Sequence, residues 1–228
     1  MTRIITTLRG IASRKGSRHT LPTLRDRIDP GVEVLFVGIN PGVRSALTGH
    51  HFAGFSNRFW KLLYESRLVP EPITFEDDDR LPEWGFGVTN IIARATPGID
   101  TLLPDEYVSG RKRLLAKIRR FRPRVVALVG VTVFRAMFPE RKGPVATGPQ
   151  EQTLGGALLF VLPNTSGRNA NFSYAEMLAA FRSLRRWCRA PLHGAPPGTL
   201  SERAERRPTI RRRPRSADGA RPSRSRAR

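Results

Sequence analysis

Residues Val32–Gly42 read VEVLFVGINPG. Five of the first six are apolar and three are valine, so this short run has the composition of a strand covered on both faces of a sheet. It runs into Gly38-Ile39-Asn40-Pro41-Gly42, where two glycines and a proline predict a tight turn at the strand's end. Such a turn leaves the Asn40 amide free to project into a crevice. It also aims backbone N–H groups at one point, an arrangement suited to a developing negative charge. The ordinary alternative for a bare Asn-Pro-Gly is a turn in which Asn merely supplies a positive φ.

The same strand signal returns in Arg124–Gly130 (RVVALVG) and Ala157–Leu162 (ALLFVL), while Val88–Ala93 (VTNIIA) reads as a strand end or loop. Helical spacing lies between these runs. Asn57 is placed to cap a helix through NRFWKLLYESR. Pro104 opens a second helix reaching Phe121, basic on its outer face. Val131–Phe138 is a short helix, and Ser173 with Glu176 forms a capping box that starts the last helix, running to Arg189. Alternation of this kind predicts an α/β fold: a short, mainly parallel sheet with helices on both faces. Ligands of such sheets bind beyond the carboxyl ends of the strands, so the loops after Val37, Ala93, Gly130 and Leu162 matter most.

Charge is uneven around this middle. The net charge of the 228-residue chain is +21. Residues 1–27 carry seven Lys/Arg against one acid, and 189–228 carry twelve Arg against three acids, leaving only +6 for 28–188. The expected organisation is therefore a basic, mobile extension over 1–27, a folded domain over 28–189 and a disordered Arg/Pro/Ser-rich tail over 190–228. The excess of cations favours nucleic acid as partner, although codon bias alone can fill solvated tails with Arg. The single cysteine, Cys188, excludes an internal disulfide and a cysteine-based zinc site. No apolar run approaches the ~20 residues of a membrane helix, and the basic start lacks an apolar signal core. A cytoplasmic, DNA-associated bacterial protein is expected, monomeric by default, with no cofactor and no metal. Neither G-x-G-x-x-G nor G-x-x-x-x-G-K-[ST] follows any strand, which weakens a nucleotide-binding reading.

Gly38–Leu63 (GINPGVRSALTGHHFAGFSNRFWKLL), taken with Leu162–Ala170 (LPNTSGRNA), resembles the mismatch-specific uracil/thymine DNA glycosylases. These are the branch of the uracil-DNA glycosylase superfamily with Asn in its first motif. The likeness runs from about Val32 to Trp187. It implies a three-layer α/β/α fold and an enzyme that turns a mispaired or damaged pyrimidine (uracil, or alternatively ethenocytosine or thymine) out of G-mismatched duplex DNA and hydrolyses its bond to the sugar, leaving an abasic site. Extrusion costs a few kcal/mol, least at a weak pair such as G·U.

The resemblance also implies roles. Asn40 holds the attacking water through its carbonyl oxygen, since a neutral amide takes up no proton near pH 7. Backbone N–H groups near Ile39 and Phe52 donate to the pyrimidine, Phe52 stacks on it, and Gly42 and Asn90 shape the pocket. Ser45 lies against the 5-position and crowds a methyl group. His51, within an HHFAG segment like that of the thymine-acting vertebrate branch, reaches a substrate phosphate or the water. In the second motif, Asn164, Ser166, Gly167 and Asn169 form the loop on which Arg168 is the wedge that fills the emptied stack. The main rival is a non-catalytic mismatch-binding or DNA-binding protein on the same fold.

Overall fold

The computed structural model describes residues 21–190. The expected mobility of 1–20 and disorder of 191–228 concern residues outside that span. Five strands form one sheet: β1 (Val34–Gly38), β2 (Phe86–Asn90), β3 (Val125–Val129), β4 (Gly148–Leu154) and β5 (Ala157–Leu162), in the order β2-β1-β3-β5-β4. The first four of that order run parallel, and β4 is antiparallel to β5. Five helices accompany them: α1 (Val43–Thr48), α2 (Phe59–Glu65), α3 (Pro104–Phe121), α4 (Val131–Met137) and α5 (Tyr174–Arg189). A 3-10 segment spans Phe75–Trp84.

Every residue of β1 and β3 is buried, as expected of central parallel strands. Alternate side chains then serve two layers. Leu35, Val37, Val126, Leu128, Leu159 and Val161 join Leu114 and Ile118 of α3 and Val133, Phe134 and Met137 of α4 in one core cluster. Phe36 turns the other way and meets Phe59 of α2 edge-on at 5.2 Å, and Phe59 in turn meets Phe181 of α5 at 6.1 Å. The α3 stripe Gly110, Leu114, Ile118 repeats every four residues. Gly110 is required there, because a Cβ would lie 2.7 Å from the Ile91 carbonyl oxygen. The three-layer α/β/α architecture is thus present.

The capping box of α5 forms as read, with Ser173 Oγ accepting from Glu176 N–H and Glu176 Oε2 accepting from Ser173 N–H. Asn57 lies one residue before the cap position, and its Oδ1 accepts from Phe59 N–H at 3.0 Å. β4 is absent from the sequence reading because Gly148–Leu154 (GPQEQTL) is polar and half-exposed, as suits an edge strand. Its signal is Gly155-Gly156, whose positive φ values of 60° and 90° make the hairpin turn into β5.

The boundary expected at residue 27 falls inside the fold. Arg27 makes an antiparallel bridge to Val88 on the free side of β2, with Arg27 N–H to Val88 O at 3.1 Å and Val88 N–H to Arg27 O at 2.8 Å. Asp26 pairs with Lys117 at 2.6 Å and accepts from Thr89 Oγ1 at 2.5 Å. Residues 25–27 are docked, not a mobile lead-in. Among the described residues no helix is long and apolar enough to cross a membrane.

Candidate active site

The chain leaves β1 for β2 on one side and returns for β3 on the other, so the loops after β1 and β3 diverge at the strand ends, where ligands of such sheets bind. Asn40 stands there, half-buried, two residues beyond β1. Its Nδ2 donates to Thr96 Oγ1 at 2.7 Å, to Arg94 O at 3.0 Å and to Pro41 O at 3.2 Å. Thr96 Oγ1 donates its own proton to Gly98 O at 2.6 Å, so towards Asn40 it can only accept. Three acceptors around one atom fix the amide nitrogen's identity. The carbonyl Oδ1 is left facing away, with no donor among the described residues and some contact with solvent. Asn40 is not among the positive-φ residues, so the ordinary turn-residue alternative does not hold.

Gly42 caps α1 with φ −72°, and a side chain there would meet nothing within 4 Å. The turn does not depend on glycine at that position. Gly38 is the demanding one. A Cβ on Gly38 would lie 2.6 Å from Asn90 Oδ1 and 3.6 Å from the Phe52 ring. The bare strand tip is therefore the floor on which Asn90 and Phe52 meet. Ile39 continues the strand outward, accepting Ile92 N–H at 2.8 Å. The backbone N–H groups of Ile39 and Phe52 find no acceptor among the described residues.

Phe52 has φ 52°, an unusual conformation for a bulky residue, costing about 1–2 kcal/mol. Its neighbours hold it there. Ala53 N–H donates to Ser45 Oγ at 3.1 Å. His51 N–H donates to Asp78 Oδ2 at 2.9 Å, and His51 O accepts from Trp60 Nε1 at 3.1 Å. One face of the Phe52 ring stacks on Phe59, 4.1 Å between centroids. The ring is half-buried. Ser45, expected at the pyrimidine's 5-position, is 5% exposed, and its hydroxyl is engaged in this pin.

His51 differs from the expectation of substrate contact. Its side chain is buried, and Nε2 lies 3.1 Å from Arg25 O, a pure acceptor, so Nε2 carries the proton. Nδ1 is then an acceptor, and Asn90 Nδ2 stands 3.4 Å from it. Burial pushes the imidazole below its ordinary pKa, which keeps the ring neutral in this role. His51 positions Asn90: with Nδ2 turned to the imidazole, the Asn90 carbonyl oxygen faces the Gly38 floor. Beneath it all, the fully buried Asp78 carboxylate takes Arg27 Nε at 2.9 Å, His50 Nδ1 at 3.0 Å and His51 N–H.

The second motif forms a loop closed by its own polar groups. Asn164 Oδ1 accepts Ser166 N–H, Asn164 O accepts Asn169 Nδ2 at 2.7 Å, and Asn169 N–H donates to Ser166 O. Gly167 lies so close to Ser56 that a Cβ would come within 2.3 Å of it. Arg168 is exposed and donates from Nη2 to Pro97 O at 3.1 Å. Asn40 and Arg168 therefore grip the same short stretch, Arg94–Pro97, from two sides. That stretch is anchored by Arg94 to Glu106 at the start of α3, at 2.7 Å from each of two guanidinium nitrogens. The arginine holds the Glu106 pKa down to about 2.

Sequence reasoning missed Arg94, Thr96, Asp78 and the Arg25–Arg27 segment, and read Gly38 only as a turn glycine. Thr96-Pro97-Gly98 repeats the Pro-Gly turn signal of the first motif and could have been found. Asp78 sits in an acidic run, EDDDR, that reads as solvated. Among the described residues no three His, Cys, Asp or Glu side chains come together as a metal site.

The chain is similar to the solution structure of a candidate uracil DNA glycosylase from Methanosarcina acetivorans, at 18% identity and a TM-score of 0.47, over 72% of this chain and 98% of that one. The family model described as the uracil DNA glycosylase superfamily matches residues 25–185, which takes in β1, the Asn40 turn, the Arg94–Pro97 stretch and the second-motif loop. This chain belongs to the uracil DNA glycosylase superfamily.

Proposed function

We propose that this DNA glycosylase acts on uracil mispaired with guanine, extruding the nucleotide and hydrolysing its N-glycosidic bond to leave an abasic site. The observation that supports the reading is the Asn40 amide, whose Nδ2 is held by three acceptors while its Oδ1 makes no hydrogen bond among the described residues. An amide cannot strip a proton from water. It can hold a water by its carbonyl oxygen against the sugar, and fixed placement of that kind supplies much of a barrier's reduction.

The leaving pyrimidine departs as an anion. The unpartnered N–H groups of Ile39 and Phe52 are available to its carbonyl oxygens as charge develops. Asn90 supplies selectivity for the base. Its Oδ1, held by His51 on the other end of the amide, accepts from a protonated ring nitrogen, which uracil and thymine have and cytosine lacks. Ser45 and Ala53 stiffen the wall beside Phe52, which disfavours a 5-methyl group and places thymine below uracil. Arg168 leaves Pro97 to fill the stack, where its planar guanidinium can face the orphaned guanine.

The test uses end-labelled duplexes with G·U, G·T and G·C pairs and the full-length protein. Alkali-sensitive cleavage at G·U, slower at G·T and nil at G·C, is expected. Asn40→Ala should lower single-turnover cleavage by at least about a hundredfold while mismatch binding stays near wild type. A protein that binds G·U tightly and forms no abasic site would instead be a mismatch-binding protein.

A further inference from the structure

Phe55 has no part in the site as described. At 91% it is more exposed than any other large apolar side chain of the described residues. Its place is unusual. The next residue, Ser56, is the one jammed against Gly167 of the Arg168-bearing loop, and Phe52 of the base pocket lies three residues before it. The rim between the two motifs thus carries a bare aromatic ring.

Arg44 of α1 accompanies it. Its guanidinium carbon lies 3.5 Å from the Phe55 ring centroid and 5.4 Å from that of Phe75. Arg44 Nε is buried without a hydrogen-bond partner. A cation held by aromatic faces, with no carboxylate partner among the described residues, remains available to an anion from outside. Its companion, an aromatic ring in water beside a nucleic-acid cleft, is the surface on which a base stacks regardless of sequence.

We infer that Phe55 stacks on a nucleobase next to the extruded nucleotide while Arg44 meets the adjoining phosphate, so that both loops, through Phe55 and Arg168, grip the duplex. This rests on the DNA-glycosylase reading above. It adds a contact that reads no sequence and supports the opened stack from the first-motif side.

The experiment uses full-length protein and a duplex carrying a hydrolysis-resistant 2′-fluoro-deoxyuridine opposite G, with 2-aminopurine in turn at each flanking position. Wild type should change the 2-aminopurine fluorescence at one flank. Phe55→Leu should abolish that change and weaken binding by about fivefold or more, with an unaltered melting temperature because the ring is exposed. Phe55→Tyr should retain both signals. Arg44→Met should keep the fluorescence change but reduce the salt dependence of binding by about one phosphate contact. The proposal is overturned if Phe55→Leu binds and signals as wild type, or if Phe55→Tyr loses as much as Phe55→Leu. These readouts need no cleavage. Failure to cut an unmodified G·U duplex would sink the enzymatic reading alone, and normal cutting by an unaffected Phe55→Leu would sink this one alone.

Discussion

Around Phe52 the backbone is pinned on both sides by buried partners: Asp78 and Trp60 at His51, Ser45 at Ala53, with Phe59 under the ring. Around Arg168 the loop is tied at its base to residues 56–58, through Thr165 and the close approach of Gly167 to Ser56, but its tip bonds to itself through Asn164, Ser166 and Asn169, and the Arg168 side chain is exposed and rests on a single carbonyl. The first region stores a strained conformation that only a packed interior can sustain. The exposed tip of the second can change shape more readily, because its internal bonds are short-range and water can replace them. A glycosylase needs both: a rigid cradle for the extruded nucleotide and an adaptable element that enters the duplex. Damage to the first should therefore fall on chemistry, and damage to the second on binding.

The sharpest way to break that contrast is Gly38→Ala. The new methyl would sit 2.6 Å from Asn90 Oδ1 and must drive that amide off the floor. A drop of about 10- to 100-fold in kcat/KM on G·U is expected, matching an overpacking cost of about 1–3 kcal/mol. Near-normal turnover would mean that Asn90 does not read the base.

Arg168→Ala should act in the opposite sense, weakening mismatch binding by about tenfold, the lower end of what a side chain facing a base contributes. Single-turnover cleavage at saturating enzyme should change less than affinity. If affinity survives and saturated cleavage collapses, the two regions are not divided as described.

Thr96→Val tests the brace between them. It removes one acceptor from Asn40 Nδ2 and leaves Arg94 O and Pro41 O. The loss of one buried hydrogen bond, about 1 kcal/mol, predicts roughly a fivefold fall in kcat with little change in affinity.

The smallest effect is that of pH on His51. Burial lowers its pKa in the fold, outweighing the hydrogen bond to Arg25 O and the nearby Asp78 and Asp26, while Arg27 acts with burial. As pH falls through the ordinary imidazole value of 6.5, the unfolded chain takes up the proton first. His51 therefore contributes its full stability above that pH and progressively less below it. The melting temperature should drop by a few degrees between roughly pH 7.5 and roughly 5.5, and His51→Gln should flatten the slope. Base selection should weaken only at lower pH, where the folded protein itself takes up the proton and Nδ1 then repels Asn90 Nδ2. A slope unchanged in His51→Gln would assign it to other groups.

Much of the fold was legible because its signals are local. Fully apolar strands, Pro104 at the head of α3 and the Ser173/Glu176 capping box each depend on residues a few positions apart. The hairpin strand β4 escaped because an edge strand carries polar side chains, and its turn glycines had to be weighed on their own. Asn40 and Arg168 were picked out by the letters around them. Thr96, Arg94 and Asp78 were not, since nothing adjacent to them says what they touch.

The chain's periodicity and turn residues, by themselves, determined a parallel sheet with an Asn-bearing turn at its tip, because strand burial and turn geometry are set by short-range sterics and hydrophobicity. Only the tertiary structure decided which end of each amide is held by partners and that His51 is buried beside Asn90. It also decided that residues 25–27 dock beside β2 and that Asn40 and Arg168 share the Arg94–Pro97 stretch. The reason is physical: an amide's orientation and an imidazole's tautomer depend on partners 26 to 56 residues away along the chain. Only folding brings those donors and acceptors within 3 or so ångströms of one another.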